Sequence, residues 1–181
     1  MKKESTPVKE RIIDTASRLF YMQGYNATGI NQVIEEAKIA KSSLYQHFAT
    51  KEDLAVAYLV KTNTEWFRAL GEFIKKGNSP KDKVLLTFDF LEVYQASCQF
   101  RGCNFQNISA ELPQDNTKIL TEVRKQKVAS RAYFHQLLAT TDKTDFADEI
   151  FILFEGAIVT SRIYQDTWAI EEAKKRIMNL L

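Results

Sequence analysis

A chain of 181 residues, 45% hydrophobic and 27% charged, has room for a sizeable core in one or two domains and is neither a disordered nor a fibrous composition. Its net charge of +2 excludes a generally basic nucleic-acid coat, so any nucleic-acid contact has to come from a local patch. Six glycines and three prolines leave few breakers, and the abundant Ala, Leu, Ile, Lys and Glu predict an all-α fold. No stretch approaches the ~20 apolar residues of a membrane span, and the first seven residues lead into an amphipathic segment rather than the apolar core of a signal peptide. The two cysteines, Cys98 and Cys103, fit a reducing compartment, so a cytoplasmic protein with no membrane partner is expected.

Thr6-Pro7 reads as a helix start, a hydroxyl cap followed by Pro at the first helical position. Ile12, Ala16, Leu19 and Phe20 follow at helical spacing, and Gly24 ends the helix as a left-handed cap. Lys2, Lys3, Lys9 and Arg11 make its front basic, which suits either a solvated end or a phosphate-touching arm. A second helix runs from about Thr28-Gly29 to Ala37 with Ile30, Val33, Ile34 and Ala37 inward. Asn31 stands in its first turn, where amides and dipole favour an anion.

A short connection at Lys38–Ala40 leads to a third helix, Lys41–Phe48. At about 100° per residue, Leu44 and Phe48 share one face with Lys41 and His47 on its shoulders; Ser42 and Gln46 point the opposite way, flanked by Ser43 and Tyr45. From Ala37 to Lys51 there are three lysines and no acid. Serine approaches a base edge or phosphate closely, Gln pairs bidentately with adenine, and Tyr, His and Lys suit phosphate oxygens. Taken alone, this composition also fits a polar surface helix. Two short helices joined by a tight turn and braced by a longer one, however, make a helix-turn-helix unit. Thr50 caps a fourth helix with Asp53 as its reciprocal partner, which holds Lys51 near the end of the third.

The segments Gly24–Ile30, Val33–Ala37, Lys41–Phe48 and Lys51–Leu54 together resemble the amino-terminal domain of TetR-family transcriptional repressors. The specific part is Leu44-Tyr45-Gln46-His47-Phe48 followed by Lys51. The resemblance implies an all-helical homodimer that binds a palindromic double-stranded DNA operator and releases it when a small molecule binds. It divides the chain into a helix-turn-helix DNA-binding domain, 1–53, and a ligand-binding and dimerisation domain, 54–181. Residue by residue, it puts Tyr45, His47 and Lys51 on phosphates, Lys41, Ser42, Ser43 and Gln46 near bases and adjacent backbone, and Asn31 at the second helix's DNA contact. This chain departs from the pattern at Lys38, where Gly is usual, at Ala40, where a hydroxyl is usual, and at Asn31, where Arg is commoner. Lys38 is therefore expected either to adopt a left-handed conformation at some cost or to stand in a slightly different turn.

The fourth helix continues past Leu59, Trp66, Leu70 and Phe73 to about Gly77. Ser79-Pro80-Lys81-Asp82 caps a fifth, Pro80–Ser97, whose Phe90 points away from the main stripe. A short helix from about Cys103 to Leu112 stops before Pro113. The next, about Asn116–Leu138, is read with Ile119, Leu120, Val123, Val128, Phe134 and Leu137 inward and a basic outer face. A helix from about Asp145 to Tyr164 is apolar nearly all round at Ile150–Phe154, so one side faces the core and the other a partner. With the last helix, Thr167–Leu181, it is expected to form a four-helix dimer interface through Phe151, Phe154, Ile158, Ile170 and Ile177.

Trp66, Phe67, Phe90, Tyr94, Phe105 and Phe134, with Asn107 as a polar contact, are the candidates for a largely apolar ligand pocket; each also suits ordinary core. Glu111 reads as a cap or a structural pair. Cys98 and Cys103, five apart across a turn, could be bridged or sense oxidants but read first as inert thiols, with Arg101 the one cation set beside them. Nothing nominates a catalytic residue, metal ligand or cofactor: there is no Gly-rich phosphate loop, no HExxH and no CxxC. A helical small-molecule-binding protein that no longer reads DNA, or an activator, is the rival to a repressor.

Overall fold

The computed structural model describes residues 7–181, and these form nine α-helices and one 3-10 turn, with no strand among them. The helices are α1 (Val8–Gln23), α2 (Ile30–Glu36), α3 (Lys41–His47), α4 (Lys51–Ile74), α5 (Pro80–Ser97), α6 (Asn104–Glu111), α7 (Thr117–Leu138), α8 (Ala147–Tyr164) and α9 (Trp168–Leu180). The 3-10 turn, Thr144–Phe146, precedes α8. The expected Thr6 cap and Lys2 and Lys3 lie outside the described residues. Pro7 itself occupies the cap of α1, with φ −52° and ψ 142° and no side-chain cap bond. α4 stops at Ile74 rather than at Gly77. The Ser79–Asp82 capping box starts α5 as expected, each side chain accepting the other's backbone N–H at 3.1 Å.

The contacts divide the chain into two compact units. The first is the chain up to Thr64 together with Asn104–Val123; the second is Glu65–Cys103 with Arg124–Leu181. The first unit buries Ile12, Ala16, Leu19 and Phe20 of α1, Val33 of α2, Leu44 of α3, and Leu54, Ala55, Tyr58 and Leu59 of α4. Phe105 and Ile108 of α6 are buried in it too, a contribution the sequence order does not suggest. Phe20 packs in tilted ring contacts at 5.4 Å from Tyr25 and 5.7 Å from Tyr58. Exposed ion pairs, Arg18–Glu36 and Asp14–Lys61, ring this core.

The second unit is built on Val84, Phe88, Leu91, Phe134, Leu138, Ile150, Phe154, Ile170 and Ile177, all buried. Phe154 sits among three rings: Phe88 at 5.6 Å edge-on, Phe134 at 5.5 Å and Trp66 at 6.1 Å. Two sequence expectations are corrected here. Val128 is 68% exposed: the inward stripe of α7 runs Val123, Ser130, Phe134, Leu138, and Val128 lies about 140° round from it. Phe154, Ile158, Ile170 and Ile177 are not available to a partner, because each is buried in the unit's own core, and Phe151 is half-buried against it. The outer face of α8 is instead Ile152, Gly156, Val159 and Ile163, one stripe at i, i+4, i+7 and i+11, with Ile152 and Ile163 about 70% exposed.

Cys98 and Cys103 are free and half-buried. Arg101 is not the one cation to consider, since Lys127 Nζ lies 3.7 Å from Cys103 Sγ while pairing with Glu155 at 2.7 Å.

Candidate nucleic-acid interface

An isolated seven-residue helix is unstable in water, so α3 exists because it is packed. Its cap, Ala40, makes no side-chain bond to the first turn. Leu44 is fully buried and Phe48, which ends the helix, is 5% exposed; burying two such side chains supplies roughly 3–6 kcal/mol. With those two inward, Lys41, Ser42, Tyr45, Gln46 and His47 all stand exposed and Ser43 half-exposed. Tyr45, at 48% exposure, and His47 are thus free of the core packing that would otherwise explain them.

The turn before α3 takes the left-handed alternative: Lys38 adopts φ 52°. The cost of a left-handed non-glycine is of order 1–2 kcal/mol, offset by local bonds. Ile39 N–H donates to the Ile34 carbonyl at 3.2 Å, Lys38 N–H to that of Glu35 at 3.0 Å, and Arg11 Nη2 reaches the Lys38 carbonyl at 3.5 Å. Arg11 is therefore a buttress of this turn. Asn31 is exposed in the first turn of α2.

After α3, Thr50 and Asp53 cap α4 reciprocally, Thr50 N–H to Asp53 at 3.0 Å and Asp53 N–H to Thr50 at 3.1 Å. Lys118 pairs with the same carboxylate, and the two together hold the Asp53 carboxyl below its ordinary value, Lys118 being the larger cause. Lys51 is half-buried, with Nζ 4.3 Å over the Tyr25 ring. Burial lowers its pKa and the charge of Glu111 opposes that shift. Sequence reasoning missed this partner, which lies on α6.

Gly24, expected as a left-handed cap, has φ 99° and ψ 157° instead. Glu111 lies against it: a Cβ on Gly24 would stand 3.0 Å from Oε1 of that carboxylate.

The candidate ligand residues fall in both units. Trp66, Phe67, Phe90 and Tyr94 form a chain of ring contacts in the second, Trp66 to Phe67 at 5.1 Å and to Phe90 at 5.5 Å, and Phe90 to Tyr94 at 6.1 Å. Phe67 continues it to Tyr133 at 6.0 Å and Tyr133 to Phe134 at 5.2 Å. Phe134 is 1% exposed and is core. Trp66 and Phe67 are half-exposed. Tyr133, unremarked in the sequence, shares a hydrogen bond of 2.7 Å with Thr87, and burial pushes its hydroxyl up to about 12 against that bond. Phe105 and Asn107 belong to α6 in the first unit. Among the described residues no three His, Cys, Asp or Glu side chains are grouped as metal ligands.

A short polar helix pinned from behind by Leu44 and Phe48, in a helix-turn-helix continued by further helices, is the arrangement of a TetR-type transcriptional regulator, and the amino-terminal part of the chain matches that family. Residues 12–58 match the family described as bacterial regulatory proteins, tetR family. An uncharacterized HTH-type transcriptional regulator of Bacillus subtilis (strain 168), YxaF, is 37% identical over 79 residues, 43% of this chain and 41% of that protein. The match to LmrA of the same organism, 34% over 93 residues, covers 51% and 47%. The chain thus spans less than half the length of these two relatives. The HTH-type transcriptional repressor NemR of Escherichia coli (strain K12) is 21% identical across 96% of this chain and 93% of its own. A TetR-family regulator from Streptomyces coelicolor superposes with a TM-score of 0.87 at 23% identity, covering 96% of this chain and 93% of that one; this likeness speaks for the fold.

Proposed function

We propose that the chain is a ligand-responsive transcriptional repressor that binds a palindromic operator as a homodimer. The observation that carries this reading is the face of α3: Lys41, Ser42, Tyr45, Gln46 and His47 exposed, with no acid on the helix. Lys41, Ser42, Ser43 and Gln46 read bases and nearby backbone, Tyr45, His47 and Lys51 hold phosphates, and Asn31 adds a contact from α2. The functional division at about residue 53 assigns DNA binding to 1–53 and ligand binding and dimerisation to 54–181. The outer stripe of α8, with exposed Tyr164, Trp168 and Met178, supplies the apolar surface that a second copy covers. Two copies of α3 then enter successive major grooves ~34–36 Å apart.

The ligand is small and largely apolar, gripped by Trp66, Phe67, Phe90 and Tyr94, and it acts by favouring a conformer that fits the operator poorly. The relative named as a repressor, and the absence among the described residues of a helix long and apolar enough to cross a membrane, support a cytoplasmic repressor. Selection from randomised duplexes tests the reading. Enrichment of a palindrome supports it; no enrichment makes the chain a helical small-molecule-binding protein instead. A reporter behind the selected site separates repressor from activator by the sign of the response.

A further inference from the structure

Glu111 is distant in sequence from the helix-turn-helix, yet its carboxylate is spent on it. Oε1 accepts the Tyr25 N–H at 3.1 Å and Oε2 the Asn26 N–H at 2.7 Å, while the Asn26 side-chain amide donates to the Glu111 carbonyl at 2.8 Å. Gly24 makes the seat possible, since a Cβ there would meet both carboxylate oxygens at 3.0–3.1 Å. Thr28, fully buried, closes the same loop from inside, its hydroxyl donating to the Gly24 carbonyl at 2.7 Å. The far end of α6 is tied to α4 by the Tyr58–Asn104 hydrogen bond, and Asn116 donates to Glu52 at 2.8 Å. Lys51 lies over the Tyr25 ring within electrostatic reach of Glu111. One carboxylate therefore fixes the loop that leads into α2 and sits beside the lysine that follows α3.

We propose that Glu111 is a positioning residue for DNA binding, which sets the Gly24–Thr28 loop and, through Tyr25, holds Lys51 where it meets a phosphate. This rests on the DNA-binding reading above. Charge and position make opposite forecasts here. A carboxylate near a phosphate backbone repels it, so neutralising Glu111 on charge alone tightens binding and steepens its salt dependence. Loss of positioning weakens binding and makes the salt dependence shallower, because Lys51 no longer neutralises its phosphate.

The test is salt-titrated binding of the full chain to the duplex that wild type selects, with fold verified by circular dichroism. Glu111→Gln is expected to weaken that binding about tenfold and to lower the log–log salt slope by about one, as Lys51→Met does. Adding Glu111→Gln to Lys51→Met is expected to leave the slope unchanged. Should the Gln variant fail to fold, Glu111→Asp, which keeps the charge but is too short to reach both amides, is expected to give the same weakening. Tighter binding, or unchanged affinity and slope beside a lowered melting temperature, overturns the proposal and leaves Glu111 a structural cap. A wild type that selects no sequence overturns the DNA-binding reading itself, a failure visible before any variant is compared.

Discussion

The exposed faces of α3 and α8 are opposites. α3 turns its apolar residues, Leu44 and then Phe48, inward, and shows only hydroxyl, amide, imidazole and ammonium groups. α8 also buries a full apolar face, at Ile150, Phe154, Ala157 and Ile158, yet carries a second apolar stripe outward at Ile152, Val159 and Ile163. Both are amphipathic in a sense, but against different media. The proposed roles match this difference: a helix that reads a duplex needs a small hydrophobic anchor and a polar exterior, whereas one that meets another protein surface needs a second hydrophobic face.

The contrast can be broken first at the cores. Phe134→Ala is expected to destabilise by about 3–5 kcal/mol in urea unfolding, since the ring is buried among Phe88, Tyr133 and Phe154. Leu44→Ala, at about 2–5 kcal/mol, is expected to abolish operator binding as well; a destabilised variant that still binds would mean α3 is not the reading helix. Ile163→Asp is expected to convert a dimer to monomer in sedimentation velocity while circular dichroism keeps its helical content, because the side chain is 70% exposed in one chain. A dimer that persists places the interface elsewhere.

A finer probe is Gln46→Ala, which should relax base preference at one position of each half-site by about 1–3 kcal/mol while leaving affinity for other sequences nearly unchanged. The smallest effect concerns acid. Arg131, and after it His135, hold the Asp148 carboxyl well below the usual carboxylate range. Its contribution is therefore present above the ordinary value of about 3.9 and is lost as pH falls below it. Asp148→Asn should flatten the loss of stability between pH 5 and pH 3, as followed by urea unfolding; an unchanged acid slope would show the exposed cluster to be worth nothing.

Much of the fold was legible because its signals are local. The Ser79-Pro80-Lys81-Asp82 cap placed the start of α5, and the Thr50–Asp53 pair placed that of α4. The orientation of α3 followed from Leu44 and Phe48 being four apart. Lys38, standing where the resemblance has glycine, left a left-handed residue or an altered turn open, and the structure has the left-handed residue. Val128 was not legible because the inward stripe of α7 passes through the polar Ser130 and leaves an apolar side chain outside. The partner-facing residues of α8 and α9 misled for a related reason: two apolar stripes on one helix are equivalent in sequence, and periodicity does not say which is inside.

The sequence by itself determined the helices of the described residues, the helix-turn-helix and the identity of the groups on α3, since capping, period and hydrophobic anchors act within a few residues. Tertiary structure alone decided which face of α8 is core, and that Glu111 reaches across 86 residues of chain to seat on Tyr25. Those choices depend on what packs against what, and a contact between distant segments leaves no spacing in the sequence to read.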